Sequence, residues 1–151
     1  MATVRVQTAD FDLGAEFAAL TAGRTDIGGV GSFIGTVRDA AAGRPITVMA
    51  LEHYPGMTER ALAAIAATAE QRWHLLGCTV IHRVGRLAPG EAIVLVLAAA
   101  SHREAALQAT SFLIDWLKTR APFWKKECFA DGSEAWVAAH DADDAAAARW
   151  D

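Results

Sequence analysis

Hydrophobic residues recur along the chain at two spacings, one typical of β-strands and one typical of α-helices. After Pro55-Gly56 they recur at helical spacing, which predicts a helix that buries one apolar stripe. That stripe consists of Leu62, Ile65, Ala66, Ala69 and Trp73. A second long helix is predicted after Ser101 and should end near Ala121, because the ring of Pro122 cannot continue the helical hydrogen-bond ladder. Its apolar face consists of Leu107, Thr110, Ile114 and Leu117.

Shorter segments rich in β-branched residues predict the strands. Alternating Val4 and Val6 predict a first strand, and the glycine-rich run IGGVGSFIGTVRD (27–39) predicts a bent strand or a close backbone approach. Further strands are predicted for TVMALEHY (47–54), CTVIHRVG (78–85) and AIVLVLAAAS (92–101), and a last hairpin for FWKKECF (123–129) with EAWVAA (134–139).

This order of elements predicts an α+β fold. Strands fall in neighbouring pairs separated by two main helices, an order that favours antiparallel sheets over a doubly wound parallel sheet. Residues 1–151 are expected to form a single domain, since the chain contains no repeat, linker or break in composition. From about residue 141 the tail DADDAAAARWD is expected to form a short amphipathic helix or to fray.

The composition indicates a folded chain and narrows its partners. Of 151 residues, 53% are hydrophobic and 21% are charged, which allows a core without disulfides or a structural metal. The net charge of -4 argues against nucleic acid and anionic membranes as partners. The longest apolar run, Ala92–Ala100, is too short to span a membrane, and the start of the chain lacks a secretory signal pattern. A cytoplasmic protein is therefore expected.

The tetrad Ser101-His102-Arg103-Glu104 has the S-x-x-E pattern of a capping box, which predicts that a helix begins there. His102 and Arg103 would then lie in the first turn, where free N–H groups and the helix dipole favour anions over cations. A bound phosphate or carboxylate would offset this repulsion, and so would an acidic side chain from a neighbouring loop. The pattern alone leaves both an anion site and an ion pair open.

Four basic residues, Lys118, Arg120, Lys125 and Lys126, flank Pro122. Cations near a helix C-terminus complement its dipole, so a solvated basic end is the commoner explanation. Lys125 and Lys126 are neighbours on a predicted strand, however, and should point to opposite faces of it. One of them is expected to face a pocket, where burial beside other cations would lower its pKa and make it a usable base or nucleophile.

Five other residues have side chains suited to ligand or metal chemistry. Arg38 closes the glycine-rich strand, and its guanidinium could hold a phosphate whose approach the glycines permit. His53 and His82 are interpreted as structural histidines with hydrogen-bond partners. Cys78 and Cys128 show no metal-ligand spacing, so reduced thiols and no bound metal are expected.

Four segments together resemble the large subunit of molybdopterin synthase, in the same order and at similar spacings. They are LEHYPGMTERAL (51–62), VIHRVGRL (80–87) with PGE soon after, SHREAA (101–106) and DWLKTRAPFWKKE (115–127). A string as long as LKTRAPFWKKE is hard to obtain from general helix or hairpin chemistry. The chain is therefore identified as a member of this family over nearly its whole length.

The resemblance implies a hammerhead-like fold and a homodimer, with a small ubiquitin-like sulfur-carrier subunit on each chain of a heterotetramer. The carrier's C-terminal Gly-Gly thiocarboxylate would donate sulfur to cyclic pyranopterin monophosphate, forming the dithiolene of molybdopterin without a metal or cofactor. Lys118 and Lys125 match the family's catalytic lysines. The substrate-binding residues implied by the resemblance are Thr36, Val37, Arg38, His102, Arg103, Lys126 and Glu127.

Two departures and two rival functions accompany this resemblance. The predicted hairpin over 128–135 is one residue longer than the family pattern. A basic residue, often arginine, is expected near the position of His140. One rival is a dimeric carrier- or pterin-binding module without turnover. The other is a sulfurtransferase that carries persulfide on Cys128, which would need an exposed thiol with a lowered pKa.

Overall fold

Two β-sheets and four helices make up the residues that the computed structural model describes, which are 1–138 and 140–151. The strands are β1 (Thr3–Gln7), β2 (Gly29–Thr36), β3 (Ala40–Ala41), β4 (Arg44–His53), β5 (Gly77–Arg83), β6 (Gly85–Leu87), β7 (Ala92–Ala100), β8 (Phe123–Phe129) and β9 (Glu134–Trp136). The helices are α1 (Leu13–Thr21), α2 (Met57–Trp73), α3 (Arg103–Thr119) and α4 (Asp141–Ala148). The predicted α+β class is confirmed.

The first sheet has the strand order β1-β5-β7-β2. Strand β7 lies inside this sheet and is buried along almost its whole length, as its continuous apolar run predicts. It pairs antiparallel with both β2 and β5. At the edge of the sheet β1 pairs in parallel with β5, Val4 opposite Val80, so one parallel pair joins the otherwise antiparallel arrangement.

The second sheet has the order β3-β4-β8-β9, with β6 also paired to β4. Strands β4 and β8 run antiparallel and place Leu51 opposite Lys125. Strands β8 and β9 form the predicted hairpin, whose turn has Gly132 at φ 87°, a conformation that glycine adopts without strain. Ala139, which the predicted hairpin segment included, lies outside the described residues.

Helix α3 packs against the first sheet through a different set of residues from the apolar face that its sequence pattern predicts. Leu107, expected on its buried face, is 61% exposed. The buried residues of α3 are Ala106, Ala109, Thr110, Phe112 and Leu113. A Cβ atom on Gly31 would lie 2.3 Å from Oγ1 of Thr110 and 2.6 Å from the carbonyl oxygen of Ala106. The predicted close approach at the glycine-rich strand is therefore real, and the element that approaches is α3.

The start of α3 corrects the capping-box prediction. The helix begins at Arg103, with His102 at the N-cap position and no side chain capping it. Glu104 accepts a hydrogen bond from Nε2 of Gln108 at 3.4 Å instead of reaching back toward Ser101. The prediction is wrong because the backbone here still packs against the start of β2. A Cβ atom on Gly28 would lie 1.9 Å from the carbonyl oxygen of Ser101.

The C-terminal tail is helical and docks on α2 and α3. The ring centroid of Trp150 lies 5.5 Å from that of Trp73 and 5.7 Å from that of Phe112. Its Nε1 donates a hydrogen bond to Oδ2 of Asp115 at 2.7 Å. Of the two expected outcomes for the tail, the structure shows the helix. No helix in the described part of the chain combines the length and apolar composition needed to cross a bilayer.

Candidate active site

Lys118 and Lys125 line the same cleft, between the C-terminal end of α3 and strand β8. The cleft has a volume of about 910 Å³, within the range of small-molecule sites. Its other charged or polar lining residues are Thr36, Arg38, Thr119, Glu127, His140 and Asp143. A smaller adjoining pocket of about 40 Å³ is lined by both lysines and by His82.

The turn that joins α3 to β8 is tied to the start of α2. Thr58 is fully buried, and its Oγ1 donates a hydrogen bond to the carbonyl oxygen of Pro122 at 3.1 Å. The same hydroxyl accepts a hydrogen bond from the backbone N–H of Tyr54 at 2.9 Å. Because Pro122 lies between the two lysines in sequence, this tether helps to fix Lys118 and Lys125 relative to each other.

Lys125 and Lys126 point to opposite faces of β8, as strand alternation predicts. Lys125 faces the cleft. Lys126 forms an ion pair with Glu134, with Nζ 3.1 Å from Oε2, and its Nζ lies 5.2 Å from the ring centroid of Trp136. The pocket-facing lysine of the pair is therefore Lys125.

The surroundings of Lys125 change its acidity. Burial and, to a smaller extent, the nearby positive charge of Lys118 lower the pKa of its ammonium group, and the carboxylate of Asp143 partly opposes both effects, so that the pKa is about 8. An ammonium group with this pKa still carries its proton at pH 7 but releases it much more readily than an ordinary lysine. Lys125 can therefore give and recover a proton near neutral pH.

The structure brings some of the predicted substrate-binding residues to the lysines and keeps others apart. Thr36, Arg38 and Glu127 line the cleft with them. Val37 is only 3% exposed, and its N–H and C=O bond to Glu91 and Gly90, so its side chain is not available to a ligand in the cleft.

His102 and Arg103 lie at the other end of α3. His102 is sixteen positions before Lys118, which at 1.5 Å per helical residue separates their backbones by roughly 24 Å. Both residues are exposed, and neither lines the cleft that contains the lysines. Within one chain, the helix start and the lysine cleft are therefore separate.

Two residues near the lysines were missed by the sequence reasoning: His82 lines the small adjoining pocket, and Asp143 lines the cleft. His82 was interpreted as structural, although it is a titratable residue on the inward face of a strand whose neighbours on that face, Cys78 and Val80, belong to the core. Asp143 lies in the tail, whose repeated acidic residues and alanines gave no signal of a site. Inward placement of a titratable side chain was the only signal that could have identified His82.

Neither cysteine lines the lysine cleft. Cys128 is buried on the same face of β8 as Lys126, with Sγ 4.0 Å from Oε1 of Glu134. Cys78 is buried in the core, and burial raises the pKa of its thiol to about 12. In residues 1–138 and 140–151 no group of three His, Cys, Asp or Glu side chains is arranged to hold a metal ion.

Comparison with known proteins identifies the family. The model of the MoaE protein family matches residues 6–120. The chain belongs to the MoaE family. A molybdopterin synthase catalytic subunit from Ralstonia nicotianae is 59% identical to it over 150 residues, covering 99% of this chain and 85% of that protein. The family membership predicted from the four quoted segments is confirmed.

Solved structures related to the MoaE family have the same fold. A molybdopterin biosynthesis MoaE protein from Burkholderia ambifaria superposes with a TM-score of 0.84 at 55% identity, over 99% of this chain and 98% of that one. Molybdopterin synthase from Staphylococcus aureus superposes with a TM-score of 0.80 at 25% identity, over 88% of this chain and 95% of that one. The lysine cleft is thus set in the fold of the MoaE family.

Proposed function

We propose that this chain is the catalytic subunit of a molybdopterin synthase. In this proposal it transfers sulfur from the C-terminal thiocarboxylate of a small carrier protein to cyclic pyranopterin monophosphate, and two transfers form the dithiolene. The observation that carries the proposal is the cleft in which Lys118, Lys125 and Arg38 come together in a chain of net charge -4. Such a local concentration of cations attracts a phosphate-bearing substrate.

The side chains of the cleft suit the charge changes of this reaction. Attack of the thiocarboxylate on a pterin carbon and opening of the cyclic phosphate develop negative charge. The ammonium of Lys118 and the guanidinium of Arg38 are placed to stabilise that charge. Lys125, with its pKa lowered to about 8, is suited to moving the proton.

The placement of the cysteines supports an external source of sulfur. Both thiols lie outside the cleft, and Cys128 faces Glu134 on the far side of β8. A persulfide on Cys128 would therefore have to cross the sheet to reach a substrate bound at Lys118 and Lys125. A flexible Gly-Gly terminus from a second protein needs only to enter the open cleft.

The proposed active form is a homodimer with one carrier on each chain. His102 and Arg103 are implied by the family resemblance to bind substrate, yet they lie away from the lysine cleft of their own chain. A two-fold related partner could place the start of its α3 near that cleft and supply both residues. Each site would then be built from two chains.

Reconstitution tests the proposed function. The purified chain is combined with a thiocarboxylated carrier and cyclic pyranopterin monophosphate, and the dithiolene product is measured. We expect product in proportion to the thiocarboxylate supplied, and none with the carboxylate form of the carrier. Binding of carrier and pterin without product would instead identify a non-catalytic binding module.

A further inference from the structure

His82 lines the small pocket beside the two lysines. One of its ring nitrogens is already in a hydrogen bond, and this determines which nitrogen can accept a second hydrogen bond. The residue is in β5 and is only 2% exposed. Its Nδ1 lies 2.8 Å from the carbonyl oxygen of Arg83. Because a carbonyl oxygen can only accept, Nδ1 must carry the ring proton and donate it. The lone pair of the neutral imidazole is then on Nε2.

Nε2 is open to the small pocket between the lysines. No hydrogen bond joins it to any residue of the described chain, and no buried side-chain nitrogen or oxygen in those residues lacks a partner. Nε2 must therefore retain some exposure, and the pocket that His82 lines also contains Lys118 and Lys125. Its volume of about 40 Å³ can hold an ammonium group or a few waters.

Stacking fixes the ring in this orientation. The imidazole stacks on the ring of Phe123, with centroids 3.8 Å apart and planes 18° from parallel. Phe123 and Lys125 are two residues apart on the same face of β8, which separates their backbones by roughly 7 Å. A lysine side chain is long enough to cover that distance. The ammonium group of Lys125 can therefore reach the edge of the imidazole.

Burial, together with the charges around the ring, keeps the imidazole neutral. Burial lowers the pKa of His82 most, the hydrogen bond to Arg83 partly opposes this, and nearby Lys125, Lys118 and His53 add to the lowering, so that the pKa is about 3. The other titratable side chains that line the cleft are Arg38, Glu127, His140 and Asp143. At neutral pH the imidazole cannot take the proton of Lys125, so it can act only as an acceptor toward that ammonium.

We propose that His82 is a positioning residue whose Nε2 accepts a hydrogen bond from the ammonium group of Lys125 and holds it toward the substrate. An ammonium group has three donors, so two remain for the substrate. In the structure the two groups line the same small pocket without a hydrogen bond between them, so the proposed bond requires the Lys125 side chain to turn toward Nε2 but requires no substrate. The effect of this hydrogen bond on turnover rests on the proposed function.

Nitrogen NMR of the full-length chain tests the hydrogen bond without any assay of activity. We expect His82 to be the neutral Nδ1–H tautomer at pH 7. The Nε2 resonance should shift in Lys125→Met and much less in Lys118→Met. A proton on Nε2, a charged imidazole at pH 7, or an Nε2 resonance unaffected by Lys125→Met would each overturn the proposal.

Two substitutions then separate the acceptor from the packing of the ring. His82→Phe keeps a ring against Phe123 but removes the acceptor, and His82→Gln places an amide oxygen near the position of Nε2. For His82→Phe we expect kcat to fall about tenfold or more with little change in KM, the effect of losing one hydrogen bond to a charged group. The pH profile attributed to Lys125 should also move to lower pH, because its ammonium loses an acceptor. His82→Gln should recover much of the loss.

Cys78→Ala is the matched control, because Cys78 is buried on the same face of β5. It should lower stability while leaving kcat and the pH profile unchanged. If the wild type turns over and His82→Phe retains both its kcat and its pH profile, the positioning role is wrong. If the wild type itself forms no product, the proposed function fails, and the NMR result still decides the hydrogen bond. If His82→Phe does not fold, the NMR measurement on the wild type and Lys125→Met still decides whether the hydrogen bond forms.

Discussion

Lys118 and Lys125 differ in their surroundings although they share one cleft. Lys118 is exposed in the last turn of α3, where a cation also complements the helix dipole. Lys125 is mostly buried, and its pKa is lowered to about 8. We therefore expect Lys118 to act as a fixed positive charge and Lys125 to move the proton.

Lys118→Ala and Lys125→Ala should each reduce dithiolene formation by a factor of about 100 or more, because fixed charge or proton transfer of this kind typically contributes that much. Circular dichroism should show the fold intact in both variants. Arg120→Ala is the control, since Arg120 follows the same helix, pairs with Asp151 and does not line the cleft. Near-normal turnover in both lysine variants would show that the catalytic assignment is wrong.

Lys125 should also lower the stability of the folded chain. Its folded pKa of about 8 lies below the ordinary value of 10.5, so between these pH values the unfolded chain binds more protons and stability rises with pH. The loss in free energy of unfolding is fully present at pH 7. It amounts to about 3 kcal/mol at most, because a pKa difference of one corresponds to about 1.4 kcal/mol and the pKa falls from 10.5 to about 8.

Lys125→Met should therefore be more stable than the wild type at pH 7, and the difference should narrow as the pH rises from 8 to 10.5. Urea unfolding at several pH values measures this. Lys126→Met, which removes the lysine paired with Glu134, should show no such gain. A Lys125→Met variant with no gain at pH 7 would mean that the ammonium is well solvated.

The thiols should be dispensable for sulfur transfer. Cys128→Ser and Cys78→Ser are expected to form product with thiocarboxylated carrier at rates close to the wild type. Both variants should be less stable to unfolding, because both cysteines are buried. Single-turnover product formation measures these rates. A folded Cys128→Ser variant that forms no product would favour a persulfide on this chain.

At the scale of elements, the contact between α3 and β2 controls where Lys118 sits. The helix packs on Gly31 through Ala106 and Thr110, and a Cβ atom at Gly31 would lie only 2.3 Å from Oγ1 of Thr110. The same Cβ atom would lie 2.6 Å from the backbone carbonyl oxygen of Ala106, which cannot move away without a shift of the helix. Since Lys118 is carried on the same helix, packing at its buried face and geometry in the cleft are coupled.

Gly31→Ala should therefore destabilise the chain by about 2 kcal/mol or more, the size expected for overpacking a core. Gly29→Ala on the same strand is the matched control, because a Cβ atom there meets nothing closer than 3.6 Å. Thermal unfolding should show a clear loss for Gly31→Ala and little change for Gly29→Ala. Equal melting temperatures for the two variants would show that the helix moves freely.

At the scale of the whole molecule, the separation of His102 from Lys118 favours a site shared between two chains. One helix cannot bring both of its ends to one small substrate across roughly 24 Å. Two antiparallel copies of α3 related by a two-fold axis can bring the start of one near the end of the other.

Mixed dimers test this arrangement. Chains with His102→Ala and chains with Lys118→Ala, each expected to be inactive alone, should regain activity when combined, because one site of each mixed dimer is then complete. Mixing Lys118→Ala with Lys125→Ala should recover nothing, since both changes fall on the same half of a site. If mixed dimers form and the first pair also stays inactive, the shared site is wrong.

The sequence by itself determined the elements and the family of this protein. The helix from Met57 to Trp73, the buried strand Ala92–Ala100 and the last hairpin follow from local periodicity and turn residues, which depend on near neighbours in the chain. Strand alternation also separated Lys125 from Lys126. The string LKTRAPFWKKE carried the family identity, because its residues are too many and too specific for general structural chemistry.

Only the tertiary structure decided what surrounds each side chain. The buried face of α3 omits Leu107, and its capping box does not form, because β2 packs closely against the first half of the helix at Ala106 and Thr110. His82 lines the small pocket beside the cleft, and Asp143 lines the cleft itself, although both belong to other elements of the chain than the lysines. Burial and charge depend on such distant neighbours. Local pattern therefore could not give the lowered pKa of Lys125 or the acceptor placed beside it.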